Sequence, residues 1–162
     1  MDFVRKVNGG VVAFEKVILV IMLVVMMILA FLQVLLRFVF KSPLPWSEGL
    51  LTYLFVWSSF IGAALGMNRM EHFCIDALVD ALPKKVQRVI EGFIYLLLVA
   101  VSVFIIYKGW GLVLMQKMIR MPSMKASMVL PYMSIPFSFA LIAIHSLCNF
   151  ILMFEKKKEG AA

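Results

Sequence analysis

Acidic and imidazole side chains come together at one place in this 162-residue sequence, where Glu71 and His72 precede Asp76. Carboxylates and imidazoles are the groups that bind metal ions or move protons in proteins. A metal site needs three or four ligands that point inward, and a helix lying on a surface encloses no pocket. We therefore interpret His72 and Asp76 as a structural contact with a loop or a partner, and not as a catalytic or metal site.

A second candidate is His145, which lies deep in a long apolar run with Asn149 one helical turn further on. An ionisable residue inside a membrane is a functional candidate by default, and we expect His145 to be the only one so placed. A neutral imidazole can instead bond a backbone carbonyl or Asn149. With no P-loop, GxSxG or HExxH motif in the sequence, we predict neither an enzyme nor a bound cofactor or metal.

Four apolar runs must position these residues, and each is long enough for a helix to cross the roughly 30 Å bilayer core. Lys16 and Arg37 bound the first run, which has no charge between them, and only Lys108 interrupts the third. The hydrophobic fraction of 64% and the mean hydropathy of +1.00 leave too little polar surface for a water-soluble core. We predict an all-α integral membrane protein, a single membrane domain over residues 1–162 with transmembrane helices at about 14–37, 48–68, 89–115 and 129–154.

The connection between the second and third runs has helical periodicity of its own. Its apolar residues recur at helical spacing, and Asp76 and Asp80 lie on the opposite side. The pattern predicts a short amphipathic helix at about 73–82, lying along the cytoplasmic surface.

Basic residues in the connections predict the orientation of the chain. With the N-terminus in the cytoplasm, ten Lys and Arg residues lie inside and six outside, so both termini are expected to be cytoplasmic. The net charge of +7 has the same origin, which indicates contacts with phospholipid headgroups and no nucleic-acid partner. The first run is too long for a secretory signal and is expected to stay as a helix. Cys74 and Cys148 are expected to be free thiols.

The connection between the first two runs is an elbow that contains Pro43 and Pro45. The prolines prevent a continuous helix. Ser47 is expected to cap the second helix, Glu48 to lie in its first turn, and Trp46 to anchor it at the membrane interface. The elbow brings Arg37 near Glu48, so these two can pair with each other or with a partner subunit.

Small residues form a line along the second helix, with Ser58, Gly62 and Gly66 spaced four residues apart. Such a line permits close approach of another helix, either of this chain or of a different protein.

Polar groups near the membrane midplane, which a carrier or channel needs, are scarce in these runs. This scarcity predicts a subunit that binds another protein. Two alternatives stay open. An autonomous small multidrug-type exporter would need a membrane-embedded carboxylate, and a haem- or quinone-linked anchor would ordinarily need facing histidines.

The elbow and the connection after the second helix together carry a family pattern. With these residues the sequence resembles the DctQ-type small membrane subunit of tripartite ATP-independent periplasmic (TRAP) transporters. The resemblance covers all four helices and is looser in the last two. Many relatives carry a second acid after the position of Glu48, where this sequence has Gly49. The residues of the pattern are Ser42, Pro43, Leu44, Trp46, Ser47, Glu48, Gly62, Ala63, Arg69, Glu71, His72, Ile75, Asp76, Leu82 and Pro83.

The resemblance implies a non-catalytic scaffold in the bacterial inner membrane. Its partners would be a large membrane subunit of about a dozen helices, which carries the sodium and substrate sites and moves as an elevator, and a periplasmic substrate-binding protein. The transported solute would be an organic acid such as sialic acid or a C4-dicarboxylate. The residues expected to serve as subunit contacts or structural positions are Arg37, Trp46, Glu48, Ser58, Gly62, Gly66, His72 and Asp76.

Overall fold

The fold consists of four long helices, seen in a computed structural model that describes residues 2–42, 44–69 and 84–159. Each helix is long and apolar enough to cross a membrane, and within the described residues there is no β-strand. The predicted all-α membrane fold with four spanning helices is therefore confirmed. The helices are α1 (Asp2–Phe38), α2 (Pro45–Arg69), α3 (Lys84–Met115) and α4 (Val129–Glu159), with a 3₁₀ turn at Gln116–Met118.

The helices extend beyond the predicted spans, which all lie within them. The largest difference is in α1, whose 37 residues make a rod of about 55 Å at the usual rise per residue. A bilayer core of about 30 Å covers little more than half of that length. The polar start of α1 therefore continues the same helix beyond its apolar run.

Helix α4 lies at the centre of the packing. It packs most extensively against α3 and next against α2, while α1 packs mainly on α2 and only weakly on α4. A third of the most apolar stretch of α4 is buried, against 22% for α2, 6% for α3 and none for α1. Helix α1 thus lies at the edge of the bundle.

The elbow ends α1 and starts α2 within a few residues. The amide of Ser42 donates to the carbonyl of Leu36, and Lys41 has a φ of 52°. Helix α2 begins at Pro45, whose fixed φ suits a first helical position. The prediction that Ser47 caps α2 is wrong. Ser47 lies within the first turn, and its hydroxyl donates to the Leu44 carbonyl over 2.7 Å.

The connection between α3 and α4 forms a small hairpin over residues 119–128. Met128 donates its amide to the Ile119 carbonyl, and Met121 donates to Ala126. Lys125 takes a φ of 53° at the turn. We call these residues the outer hairpin, because with the predicted orientation they lie on the periplasmic side.

Two prolines interrupt the start of α4. Pro131 has no amide hydrogen, so the carbonyl of Ser127, four residues earlier, lacks its helical donor. The hydroxyl of Tyr53 on α2 donates to that carbonyl over 3.0 Å. Trp57, one turn further along α2, donates its indole N–H to the Leu130 carbonyl, also over 3.0 Å. Aromatic side chains of α2 therefore supply hydrogen bonds to the first turn of α4.

The predicted amphipathic helix at 73–82 lies outside the described residues. The same is true of His72, Asp76 and Cys74, and of the prediction that Cys74 is a free thiol. Cys148 is a free thiol, 9% exposed, in the second half of α4.

Candidate functional site: outer contact residues and a buried polar cluster

The predicted contact residues of the elbow are open to their surroundings. Trp46 is 44% exposed, and Arg37 and Glu48 are exposed as well. The guanidinium carbon of Arg37 lies 5.8 Å from the centroid of the Phe38 ring. Among the described residues no ion pair joins Arg37 to Glu48, so these two side chains do not pair with each other in this structure. Pairing of either with a partner subunit stays a prediction.

Gly49, the position of the missing second acid, lies beneath the outer hairpin. A Cβ atom built there would lie 2.7 Å from Ser123 Oγ and 2.8 Å from both Met121 Sδ and Met124 Cγ. Cβ atoms in proteins essentially never lie this close to other side-chain atoms. In this chain the space that an acid would need is filled by the hairpin.

The small residues along α2 differ in their surroundings, from buried Ser58 to exposed Gly66. Ser58 is 8% exposed and donates to the Phe55 carbonyl. A Cβ atom on Gly62 would come no closer than 4.0 Å to Leu19 of α1, and one on Gly66 would have nothing within 4 Å. Within the described residues, Gly62 therefore faces α1 across a loose contact, and Gly66 has open space beside it.

Close packing at glycine occurs instead between α3 and α4. A Cβ atom on Gly109 would lie 3.4 Å from Ile135 Cγ2, and one on Gly92 would lie 3.3 Å from Met153 Cε. These two positions lie near opposite ends of the α3–α4 contact. They explain why this pair of helices packs most extensively.

A buried contact between a carboxyl group and an imidazole joins α1 to α4. The Nε2 atom of His145 lies 3.0 Å from Oε1 and 3.1 Å from Oε2 of Glu15, and each residue is 1% exposed. Glu15 directly precedes Lys16, which bounds the charge-free part of the first apolar run. The expectation that His145 is the only deep ionisable group is therefore wrong, because α1 brings a carboxylate to it.

Three asparagines extend this pair into a cluster. The Nδ1 atom of His145 lies 2.7 Å from Oδ1 of Asn8. Asn8 in turn donates its amide hydrogens to Asn68 on α2 over 3.2 Å and to Asn149 on α4 over 3.4 Å. We refer to Glu15, His145, Asn8, Asn68 and Asn149 as the buried polar cluster.

The cluster changes the predicted partners of His145. We expected a backbone carbonyl or Asn149, and the structure gives Asn8 and Glu15 instead. Both ring nitrogens are within hydrogen-bond distance of these side chains, so neither is directed at a haem iron. No group of three or more His, Cys, Asp and Glu residues that could hold a metal lies within the described part of the chain.

A weak sequence signal for the cluster exists. Asn8 and Glu15 are seven residues apart and so lie on one face of α1, as His145 and Asn149 do on α4. Two polar faces in apolar helices predict contact only if the two helices are known to be neighbours. The sequence alone does not establish that α1 and α4 meet.

Comparison with known proteins identifies the family. A family model described as the DctQ component of tripartite ATP-independent periplasmic transporters matches residues 26–156. The chain belongs to the DctQ family. Members of this family are subunits of TRAP transporters and not enzymes, which confirms both the resemblance in the sequence and the prediction that this chain is no enzyme.

Three relatives extend this finding. A TRAP transporter small permease protein of Haemophilus influenzae is 33% identical over 94 residues, which are 58% of this chain and 58% of that protein. The sialic acid TRAP transporter permease protein SiaT of another strain of this species is 40% identical over 73 residues, 45% of this chain and 12% of SiaT. The isethionate TRAP transporter permease protein DctMQ of Oleidesulfovibrio alaskensis is 24% identical over 143 residues, 83% of this chain and 22% of DctMQ.

The matched segments span less than two thirds of the length of each of these relatives. In SiaT and DctMQ a DctQ-like segment is a minor part of a much longer permease polypeptide. Together with the four apolar helices, the family match makes the chain a multi-pass membrane protein of the small-permease type found in TRAP transporters.

Proposed function

We propose that this chain is the static, non-catalytic scaffold of a TRAP transporter. It binds the large, sodium-coupled elevator subunit in the bacterial inner membrane, with both termini in the cytoplasm, and helps to dock a periplasmic substrate-binding protein. The complex takes up an organic acid, with sialic acid and C4-dicarboxylates as candidates. The large subunit contributes the transport sites, and this chain contributes a fixed surface.

The observation that carries this proposal is the uncovered apolar surface of α1. None of the most apolar stretch of this helix is buried within the chain, whereas that of α4 is one-third buried. Such a surface must face lipid or another membrane protein. A long permease polypeptide with a DctQ-like segment, such as SiaT, favours a large membrane protein as the neighbour.

The charge of the outer end supports a docking role. The segments 37–48 and 108–128 contain six Lys and Arg residues and a single acid, Glu48. All six basic side chains are exposed. A basic surface attracts an acidic face of a soluble partner and speeds its encounter. The basic residues are Arg37, Lys41, Lys108, Lys117, Arg120 and Lys125.

An autonomous exporter is the second candidate, because Glu15 provides the membrane-embedded carboxylate that such a protein requires. Its carboxylate is 1% exposed, and both oxygens lie close to His145. A transport site must open to each side of the membrane in turn to exchange its substrate. A buried carboxylate that is already paired with His145 favours the scaffold.

The test is to tag this chain, express it together with its chromosomal neighbours, and measure which proteins co-purify. We expect the large subunit in one-to-one ratio, and we expect sodium-dependent uptake by vesicles only when both subunits and the binding protein are present. A tagged membrane protein of similar size from another family is the control. Solute accumulation by vesicles that contain this chain alone would contradict the scaffold and support the exporter.

A further inference from the structure

The Glu15–His145 pair is an unusual feature for a passive scaffold, because buried charged groups are costly. Removing two ionised groups from water opposes folding strongly unless close partners compensate. Here the pair lies about 10 Å along α1 from Asn8, which meets the inner end of α2 at Asn68. If α2 spans the membrane in the predicted orientation, the Glu15–His145 pair lies in the cytoplasmic half of the membrane. The contacts that the pair makes must therefore compensate for the cost of burying it.

The hydrogen bonds fix the number of protons on the pair. An amide oxygen can only accept, so the contact of His145 Nδ1 with Asn8 Oδ1 requires a proton on Nδ1. The other nitrogen, Nε2, faces both oxygens of Glu15. A hydrogen bond between them needs one proton, carried either by Nε2 or by the carboxyl group. In both forms the pair as a whole is neutral, which makes its burial in the membrane tolerable.

The pair joins two helices that otherwise have little contact. Helix α1 packs mainly on α2, and even there Leu19 only approaches Gly62 at 4.0 Å. The buried cluster supplies α1 with directed, fully partnered contacts to α4, and Asn8 adds a contact to α2. Directed polar contacts define a helix register more sharply than a smooth apolar surface does.

We propose that Glu15, His145 and Asn8 form an interhelical clamp, a neutral pair with one shared proton that holds α1 in a fixed position on α4. The clamp thereby positions the apolar surface of α1 that binds the large subunit. This second step rests on the proposed function. The three residues are positioning residues, since they do not touch the partner themselves.

The clamp is tested with a double-mutant cycle on the purified chain. Glu15→Ala, His145→Ala and the double variant are compared for their unfolding equilibrium in detergent. Each single change leaves a buried polar partner behind, and the double change removes both. The effects of the two single changes on the unfolding equilibrium, added together, predict a certain unfolding constant for the double variant. We expect the measured constant to be about tenfold smaller than this prediction. Additive effects would overturn the clamp.

A conservative variant separates pairing from packing. Glu15→Gln supplies an amide N–H group that can donate to Nε2 of a neutral imidazole. This variant should therefore retain most of the stability that Glu15→Ala loses. Lys16→Ala is the matched control, because it removes the neighbouring charge from an exposed position on the same helix. A loss in Lys16→Ala as large as that in Glu15→Ala would contradict the clamp.

The positioning step is read from the amount of large subunit that co-purifies with each variant. We expect a severalfold loss for Glu15→Ala and His145→Ala, with recovery in Glu15→Gln. If the cycle shows coupling and co-purification stays at the level of the unmodified chain, the positioning role is wrong and the clamp serves stability alone. If the unmodified chain itself captures no large subunit, the proposed function fails, and the cycle still decides the clamp.

Discussion

Gly49 marks a point where two connections of the chain touch. The first turn of α2 and the outer hairpin meet so closely that a single added carbon would lie under 3 Å from three side-chain atoms. A glycine here allows the hairpin to rest on the start of α2. An acidic side chain at this position would meet Ser123 and two methionines.

The first prediction concerns this contact. Gly49→Ala should destabilise the chain by about 1–3 kcal/mol, the usual effect of forcing extra volume into a packed site. Gly10→Ala is the control, since a Cβ atom there meets nothing within 4 Å and alanine favours the helix. Denaturation of the purified chain measures both changes. Equal or greater stability of the Gly49 variant would show that the hairpin does not rest on α2.

Glu15 shows which residues a hydropathy pattern misplaces. The sequence correctly marks His145 as a polar group inside an apolar run, but it places Glu15 among the flanking charges of the first helix. The carboxylate is buried because α1 lies against α4 at that level. Burial of a residue near the end of an apolar run depends on a neighbouring helix, and a hydropathy pattern contains no information about neighbours.

At the level of elements, the start of α4 depends on α2. Pro131 and Pro136 make this segment a poor helix former by itself, and Pro131 leaves the Ser127 carbonyl with only a 3.4 Å backbone bond, from the Leu130 amide. The phenol of Tyr53 and the indole of Trp57 lie at the height where α4 begins. These two aromatic side chains therefore stabilise the first turn of α4 from outside.

The second prediction removes one of these hydrogen bonds. Tyr53→Phe should destabilise the chain by about 1 kcal/mol, because the Ser127 carbonyl loses its shorter hydrogen bond and keeps only the one from the Leu130 amide at 3.4 Å. Tyr107→Phe makes the same chemical change on α3 at a position that is 75% exposed, and it should have little effect. Thermal denaturation followed by tryptophan fluorescence compares them. Equal stability of the two variants would mean that water or another group serves the carbonyl.

The elements themselves are largely predictable from sequence, because an apolar run of about 20 residues has few alternatives to a helix in a membrane. The predicted start of α4 at residue 129 agrees with the structure. The predicted start of the first span at about residue 14 does not mark the start of α1. The helix begins at Asp2, before the apolar run begins. Hydropathy reports the part of a helix that faces lipid, and a helix can continue into water without changing that signal.

On the scale of the whole molecule, the bundle is incomplete as a packing unit. Helix α4 is the centre, α3 and α2 flank it, and α1 is attached at the edge. Among the described residues, a Cβ atom on Gly62 would meet only Leu19 of α1, at 4.0 Å, and one on Gly66 would meet nothing within 4 Å. The sequence predicts that these small residues line up on α2, and it leaves open whether the facing helix belongs to this chain. Contact of Gly66 with a second protein stays a prediction.

The third prediction follows from that open space. Changing Gly62 and Gly66 to Leu should lower the stability of the isolated chain only modestly, because among the described residues a Cβ atom on Gly66 meets nothing within 4 Å and one on Gly62 meets only Leu19 Cδ2, at 4.0 Å. The same change should lower the amount of co-purified large subunit severalfold, since close helix contact needs small residues at the interface. Gly111→Leu is the control, because Gly111 also has nothing within 4 Å of its added Cβ but lies on α3. An equal loss in both variants would mean that bulk anywhere on the surface disturbs assembly. A clear loss of stability in the isolated chain would instead assign Gly62 and Gly66 to the contact between α1 and α2.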